Sequence, residues 1–343
     1  MSSCAKRHNS QMKVSVIVPV RDEEHSIREL LDSLLKQTRP PDEIVITDGG
    51  SVDATPQIIE AYIQRGAPVR LLRAGPALPG RGRNLGAAAA QFEWLGFTDA
   101  GIRLENNWLE MLVARAAQDP AIDIVYGSWE PMTDTFFKEC AAIAYVPPPA
   151  PRDGIVVRPR FVASTLLRRD AWAAVHGFPE DLRSAEDLVF MDRLEAAGYR
   201  AVFEPRARVH WNLRSTLSST FKRFLVYSRN NIRAGLWRQW QATILFRYAV
   251  LLVLLVIALI MDPRWALVPV VAWLVMLAAR AAVSIRRNRH CYPASLFRNL
   301  LRGGLIMSLL AVLDAAALLG SIQWLLFDSF RSTGKTVEAG NGV

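Results

Sequence analysis

Over the first two hundred positions, short apolar runs rich in β-branched residues alternate with stretches of helical periodicity. Val14–Val20 (VSVIVPV) has the continuous apolar character of a strand buried on both faces, and Pro19 stops its hydrogen-bonding ladder. From residue 23 to 36, Ile27, Leu30, Leu31, Leu34 and Leu35 recur at the spacing of one helix face. Residues 43–47 predict a second buried strand, ended by Asp48-Gly49-Gly50-Ser51. Asp53-Ala54-Thr55-Pro56 then opens another helix, with proline suited to its first turn. Residues 69–72 read as a third strand, 83–91 as an alanine-rich helix, and 94–98 as a fourth strand running into Asp99. Strand and helix in alternation predict an α/β sandwich with a largely parallel sheet and ligands at the carboxyl ends of its strands.

Between residues 126 and 160 the pattern loosens. The run Val146-Pro-Pro-Pro-Ala-Pro151 excludes both strand centre and helix, leaving a stiff extended loop, either a surface connection or an acceptor-side lid. Helical periodicity resumes at 170–176 and 185–197, and 199–203 predicts a short strand. Residues 215–238 mix Leu217, Phe221, Phe224, Leu225, Ile232 and Leu236 with Lys222, Arg223, Arg229, Arg233 and Arg238. That mixture fits a helix lying on a membrane surface, or a solvated helix packed on the preceding domain.

Three apolar spans follow, at 241–261, 265–285 and 303–327, each near or above the roughly 20 residues that a bilayer core requires. Arg247 and Arg280 interrupt the first two near the ends that face basic stretches, where both can snorkel to one surface. The link 262–264 is then expected outside and Arg286, Arg287 and Arg289 inside, which puts the amino-terminal domain in the cytoplasm. Arg331 and Lys335 in the tail fit poorly with three crossings, so the third span has a re-entrant or interfacial alternative. Asp314, midway along that span, is expected to face other helices, to be protonated, or to pair with a cation.

Composition sharpens this picture. The chain has 343 residues, 51% of them hydrophobic, and a formal net charge of +9. A basic surface next to apolar spans points to an anionic lipid surface rather than to nucleic acid. Cys4, Cys140 and Cys291 are far apart with no metal-ligand spacing, which argues for a reducing compartment. Residues 1–13 contain no apolar core, so no secretory signal is expected.

Five segments carry the chemistry: VSVIVPVRDEE (14–24), EIVITDGGSVDAT (43–55), GRGRNLGAAAA (80–90), FTDAG (97–101) and AEDLVFMDRL (185–194). In order and spacing they resemble the family-2 inverting glycosyltransferases of GT-A fold, over roughly residues 12–212. The resemblance implies an α/β, three-layer GT-A sandwich of the nucleotide-diphosphosugar transferases with a mostly parallel sheet, followed by an α-helical membrane region. It implies a disordered amino terminus at 1–12, a transferase domain at 13–213, an interfacial helix at 214–240, transmembrane helices within 241–327 and a polar tail at 328–343.

The same resemblance implies roles for particular residues. Pro19, Val20 and Arg21 would meet the nucleotide base, Glu23 a ribose hydroxyl, and the Asp48 carboxylate the uracil N3–H. Arg83 and Asn84 would bind the donor diphosphate, helped by the free N–H groups of a helix start. Asp99 matches the first carboxylate of a DxD element that holds Mg²⁺ or Mn²⁺, whereas Gly101 replaces the second. Asp187 would be the general base that takes the proton of the attacking acceptor hydroxyl, with Glu186 orienting the base or the acceptor. His210, Trp211 and Arg214 stand where such enzymes touch diphosphate or acceptor. The expected partners are a nucleotide-diphosphate sugar, UDP-linked, a lipid-linked or cell-envelope glycan acceptor, and the cytoplasmic (inner) membrane. Transfer to polyprenyl phosphate itself is one alternative, and a non-catalytic nucleotide-sugar-binding scaffold is another.

Overall fold

The computed structural model describes residues 12–152 and 154–328. The expected disordered terminus and polar tail therefore fall outside the described residues, apart from Met12 and Asp328. The chain divides into two units, one formed by residues up to 132 with 149–212, the other by 133–148 with the residues from 213 onward.

The first unit is built on an eight-stranded sheet. Its strands are β1 (Val14–Val20), β2 (Glu43–Asp48), β3 (Val69–Arg73), β4 (Trp94–Phe97), β5 (Ile102–Leu104), β6 (Ile124–Met132), β9 (Thr165–Arg168) and β10 (Ala201–Asn212), in the order β3-β2-β1-β4-β9-β6-β10-β5. A separate hairpin joins β7 (Ala150–Arg152) to β8 (Ile155–Val157). β1 to β4 are mutually parallel where paired. β9 runs antiparallel to both β4 and β6, and β10 runs parallel to β6. The carboxyl ends of β1, β2, β4, β6 and β10 therefore share one edge of the sheet. Val20 pairs with Asp48 in register there.

Helices α1 (Ile27–Leu35), α2 (Thr55–Gln64), α3 (Pro79–Ala89) and α4 (Trp108–Ala116) cover the sheet, with α6 (Arg169–Ala174) and α7 (Glu186–Ala196). Ile17, Val45, Leu95, Phe97, Leu167 and Phe190 are buried in one core cluster between the layers. α1 starts later than its periodicity suggested, because the backbone carbonyl of Glu23 caps it by accepting from Ser26 and Ile27. β6 extends to Met132 through Pro131, and β10 runs well past the short strand expected at 199–203.

The second unit contains α5 (Phe136–Tyr145), α8 (Leu217–Arg233), the single turn α9 (Trp237–Trp240), α10 (Ala242–Met261), α11 (Leu267–Arg287) and α12 (Leu296–Phe327). α10, α12 and the stretch 263–287 that contains α11 are long and apolar enough to cross a membrane. α12 begins seven residues before the third span read from hydropathy, since Ser295 caps it by accepting from Arg298 N–H. Asp314 is fully buried and pairs with Arg280. Arg280 therefore does not snorkel, and the Arg247 side chain donates to the carbonyl of Thr243 in its own helix.

Candidate active site

Glycines bring α3 onto the sheet edge. A Cβ at Gly86 would stand 2.5 Å from Ile17 Cγ2, and one at Gly82 would stand 3.1 Å from both Pro19 Cβ and Thr47 Oγ1. One turn apart, these two positions let the helix lie directly on β1 and β2. Gly80 is tighter still, because an added Cβ would meet the Pro179 carbonyl oxygen at 2.1 Å. The turn Gly80-Arg-Gly-Arg83 is thus the first turn of the helix, not the approach to it, with Pro79 inside the start. We expect Gly80→Ala to destabilise the fold by about 1–3 kcal/mol through overpacking against rigid backbone, measured by thermal or urea unfolding.

Placed this way, Arg83 is almost fully buried at the centre of a charge cluster. Its Nη1 donates to Glu186 Oε1 at 2.6 Å and its Nη2 to Asp99 Oδ1 at 2.7 Å. Its guanidinium also lies over the Phe178 ring, 5.4 Å from the centroid, and Phe178 stacks on Phe190 of α7 at 3.8 Å. Burial opposes the charge on Arg83, but Asp99, Glu186 and Asp187 outweigh it and hold the guanidinium firmly protonated. Three segments distant in sequence, around residues 83, 99 and 186–187, therefore meet at one point.

Asp187 is half-buried and its Oδ1 accepts from Leu188 N–H at 2.9 Å. Burial pushes its carboxyl up to about 7, the charge of Glu186 adds to the rise, and Arg83 pulls against it. Ala185, just before the pair, has φ 68°, a left-handed backbone that is unfavourable for alanine. The cluster also contains unsatisfied atoms: Glu186 Oε2 and Arg83 Nε are buried without a hydrogen-bond partner among the described residues.

Asn84 faces elsewhere. Its Oδ1 accepts from Trp172 Nε1 at 3.1 Å and from Phe178 N–H at 2.9 Å, and its Nδ2 donates to the Phe178 carbonyl and to Glu180. With its amide committed on both sides, Asn84 clamps the 172–180 segment that carries Phe178, rather than offering an amide to a diphosphate. Arg81 is exposed on the same turn.

The remaining sequence-derived candidates lie where β1 and β2 end. Arg21 is exposed, 3.7 Å from Asp22. The Glu23 carboxylate accepts from Ser26 Oγ, while Glu23 N–H donates to Thr55 Oγ1 at 2.8 Å. Asp22 N–H donates to Ser51 Oγ, and Asp22 Oδ1 accepts from Val52 N–H, so the two loops after Val20 and Asp48 form one stitched platform. Asp48 is buried, with Oδ1 accepting from Ser51 N–H at 2.9 Å and Oδ2 3.5 Å from Arg73. Pro19 packs against α3 at Gly82, and the Val20 carbonyl accepts from Gly49 N–H. The His210 imidazole lies 3.3 Å from the Glu105 carboxylate, where β10 pairs with β5.

A divalent ion would meet a restricted donor set. Among the described residues no group of three His, Cys, Asp or Glu side chains is arranged to hold one. Gly101 sits at φ 80° in the turn after β4, a conformation in which a second aspartate would be strained. Asp99 remains partly exposed and fits a hard ion that takes one carboxylate together with phosphate oxygens and water.

Phe178 lies outside the five motif segments, and Phe190 lies inside one of them without a role of its own. Phe178 and Phe190 form the ring pair beneath Arg83, and only the helical spacing of Phe190 hinted at burial. Trp129, Phe161 and Trp211 form a further aromatic cluster toward the ends of β6 and β10, with ring centroids 5.4–6.4 Å apart.

The model of glycosyl transferase family 2 matches residues 15–151. The chain carries a glycosyl transferase family 2 domain. The uncharacterized glycosyltransferase EpsJ of Bacillus subtilis is 28% identical over 193 residues, covering 52% of this chain and 54% of that protein. The poly(ribitol-phosphate) beta-N-acetylglucosaminyltransferase TarS of Staphylococcus aureus is 32% identical over 195 residues, covering 52% of this chain and 32% of that protein. The chain thus spans about a third to a half of the length of these relatives. Among solved structures, the mannosyltransferase PcManGT of Pyrobaculum calidifontis, in complex with GDP-Man and Mn²⁺, superposes with a TM-score of 0.54 at 19% identity. That match covers 95% of this chain and 93% of the other, and it bears on the fold. The family 2 domain has the GT-A architecture, and its mostly parallel sheet agrees with the expected fold class.

Proposed function

We propose that the chain is a membrane-anchored, inverting glycosyltransferase that moves a single sugar from a nucleotide-diphosphate sugar, UDP-linked, to a lipid-linked or cell-envelope glycan acceptor. The observation that carries this reading is the Arg83-centred cluster. It joins the half-buried, elevated Asp187 to a Glu186 oxygen that lacks a donor. A carboxyl near 7 is suited to exchanging protons at neutral pH, and Glu186, held by Arg83, fixes the start of the helix that carries it.

In this mechanism the acceptor hydroxyl oxygen attacks the anomeric carbon from the face opposite the diphosphate. The bond to the acceptor oxygen forms as the bond to the diphosphate oxygen breaks, and the leaving group departs with that electron pair. The hydroxyl proton passes to Asp187, while Glu186, fixed by Arg83, orients the acceptor. Asp48 and the platform of Arg21 to Glu23 would hold the nucleoside, with Arg83 and the start of α3 nearest the diphosphate.

One guanidinium faces three carboxyl groups in the cluster, so a diphosphate arriving alone would be repelled. Asp99 would hold a Mg²⁺ or Mn²⁺ ion that neutralises the diphosphate. The sequence lacks the Gln-x-x-Arg-Trp pattern of processive synthases, which supports single addition. The likeness to TarS, a poly(ribitol-phosphate) beta-N-acetylglucosaminyltransferase, supports a polymeric acceptor. The three long apolar helices support placement in the cytoplasmic membrane, and Arg286, Arg287 and Arg289 at the end of α11 support the family 2 domain on the cytoplasmic side.

The test is nucleoside diphosphate release by the full chain in detergent, over a panel of UDP- and GDP-sugars, with membrane extract as acceptor source. We expect release with one UDP-sugar in Mn²⁺ or Mg²⁺, and at least a tenfold loss in EDTA. Donor binding without release across the panel would instead favour a non-catalytic scaffold.

A further inference from the structure

The hydropathy of α12 suggests a third membrane crossing, but its contacts are those of a helix lying across one end of a hairpin. α10 and α11 are joined by the turn Pro263–Ala266, so the start of α10 and the end of α11 lie at the same end of that hairpin. Both of these ends touch the surroundings of α12, and they do so far apart along it.

At the α10 start, Gln241 Nε2 donates to the Ser228 carbonyl of α8 at 3.1 Å. Ser228 in turn lies against Gly320 of α12, where an added Cβ would stand 2.7 Å from Ser228 Cβ. At the α11 end, Asn288 Nδ2 reaches the Ile143 carbonyl of α5 at 3.4 Å, and Tyr292 follows one turn later. Arg302 of α12 donates to the Tyr292 carbonyl at 2.9 Å and forms a buried ion pair with Glu139 of α5. Residues 302 and 320 are about 27 Å apart along a helix axis. A helix crossing a hydrocarbon core of about 30 Å cannot keep both points at one face of it. Between them, Asp314 meets Arg280 Nη2 at 3.1 Å and Tyr248 Oη at 3.1 Å, side chains only about 10 Å in from the hairpin's ends.

Both ends of α12 are also tied to segments that issue directly from strands. Arg298 and Arg302 pair with Glu139, on a helix bounded closely by β6 and β7, and Asp328 accepts from Arg229 of α8 at 2.6 and 3.0 Å. α8 itself begins five residues after β10 ends. The opposite face of α12 is apolar and uncovered, with Phe297, Leu300, Leu301, Leu319, Ile322 and Leu326 exposed.

We infer that α12 does not cross the membrane but lies in its plane, on the leaflet at the open end of the α10–α11 hairpin, with this apolar face against the acyl chains. The depth of the Asp314 contacts matches the 5–10 Å at which interfacial helices settle. The α10–α11 hairpin is then the sole crossing among the described helices, and α12 ends at Asp328 on the same side of the membrane as the hairpin's two open ends. The inference rests on the membrane reading of that hairpin, but not on the transfer reaction.

A membrane-impermeant maleimide applied to intact cells tests it. Three full-length chains are compared: wild type, Arg264→Cys in the hairpin turn, and Glu338→Cys in the tail. Exposed Cys291 of the wild type, beside the end of α11, serves as the native control for the inner side. Only Arg264→Cys should label on intact cells, and Glu338→Cys should gain label over wild type only after permeabilisation. Labelling of Glu338→Cys on intact cells would overturn the in-plane helix. Labelling of Arg264→Cys only after permeabilisation would overturn the hairpin beneath it. A green fluorescent protein fused after Val343, which folds in the cytoplasm, gives a second readout and is expected to fluoresce.

Discussion

Asp187→Asn is expected to lower kcat by about 10²–10⁴-fold while leaving the fold intact, the loss typical of a missing general base. The amide can still accept from Leu188 N–H as the carboxylate does, so the start of α7 keeps its geometry. The pH dependence supplies a second signature. Because burial raises Asp187 to about 7, the base is half protonated there, and kcat/KM of the wild type should rise through about pH 7 to a plateau. Stability should move the other way. Between the ordinary aspartate value near 4 and about 7, the folded chain holds a proton that the unfolded chain has released. This group's contribution therefore favours folding less and less as pH rises through that window. Above pH 7, Asp187→Asn removes a buried charge and should match or exceed the wild type in thermal stability. A purely structural helix-start aspartate would instead lose stability on substitution, with activity falling only in proportion.

Arg83→Leu is expected to be the most damaging single change in the first unit. It leaves Asp99 and Glu186 without the guanidinium that neutralises both, and breaking a buried ion pair from one side costs about 3–5 kcal/mol. Arg83→Lys should recover part of this, since an ammonium keeps the charge but cannot span two carboxylates in a fixed fork. Urea unfolding of the two variants beside wild type checks the order: wild type, then Lys, then Leu. Equal stability of all three would show the cluster to be energetically inert.

Where sequence and structure agree, the reason is local. Val14–Val20 and the strand ending at Asp48 could be read directly, because a strand buried on both faces must be apolar throughout. Glu186 and Asp99 were legible as motif residues, but nothing in the sequence said that one arginine would join them. The role of Gly80-Arg-Gly-Arg83 was legible only in part. Its charge suggested an anion site, whereas its glycines answer to Pro19, Thr47 and Pro179, contacts that require the folded sheet. Asn84 shows the same limit, since its amide is used by a segment some ninety residues later. Within 126–160, α5 was obscured by the prolines that follow it, and its buried Glu139 finds Arg302 only at a sequence separation of 163. Asp314 was the converse case. A carboxylate in an apolar span demands a partner, whereas Arg280, which supplies it, was expected to snorkel.

The most direct test of Asp187 as the base of a nucleotide-sugar transferase is donor binding and single-turnover sugar transfer, measured on one preparation each of wild type and Asp187→Asn. The expected result is a donor Kd unchanged within a few-fold, with nucleoside diphosphate formation lost from the variant. Wild-type turnover by folded Asp187→Asn would contradict the account.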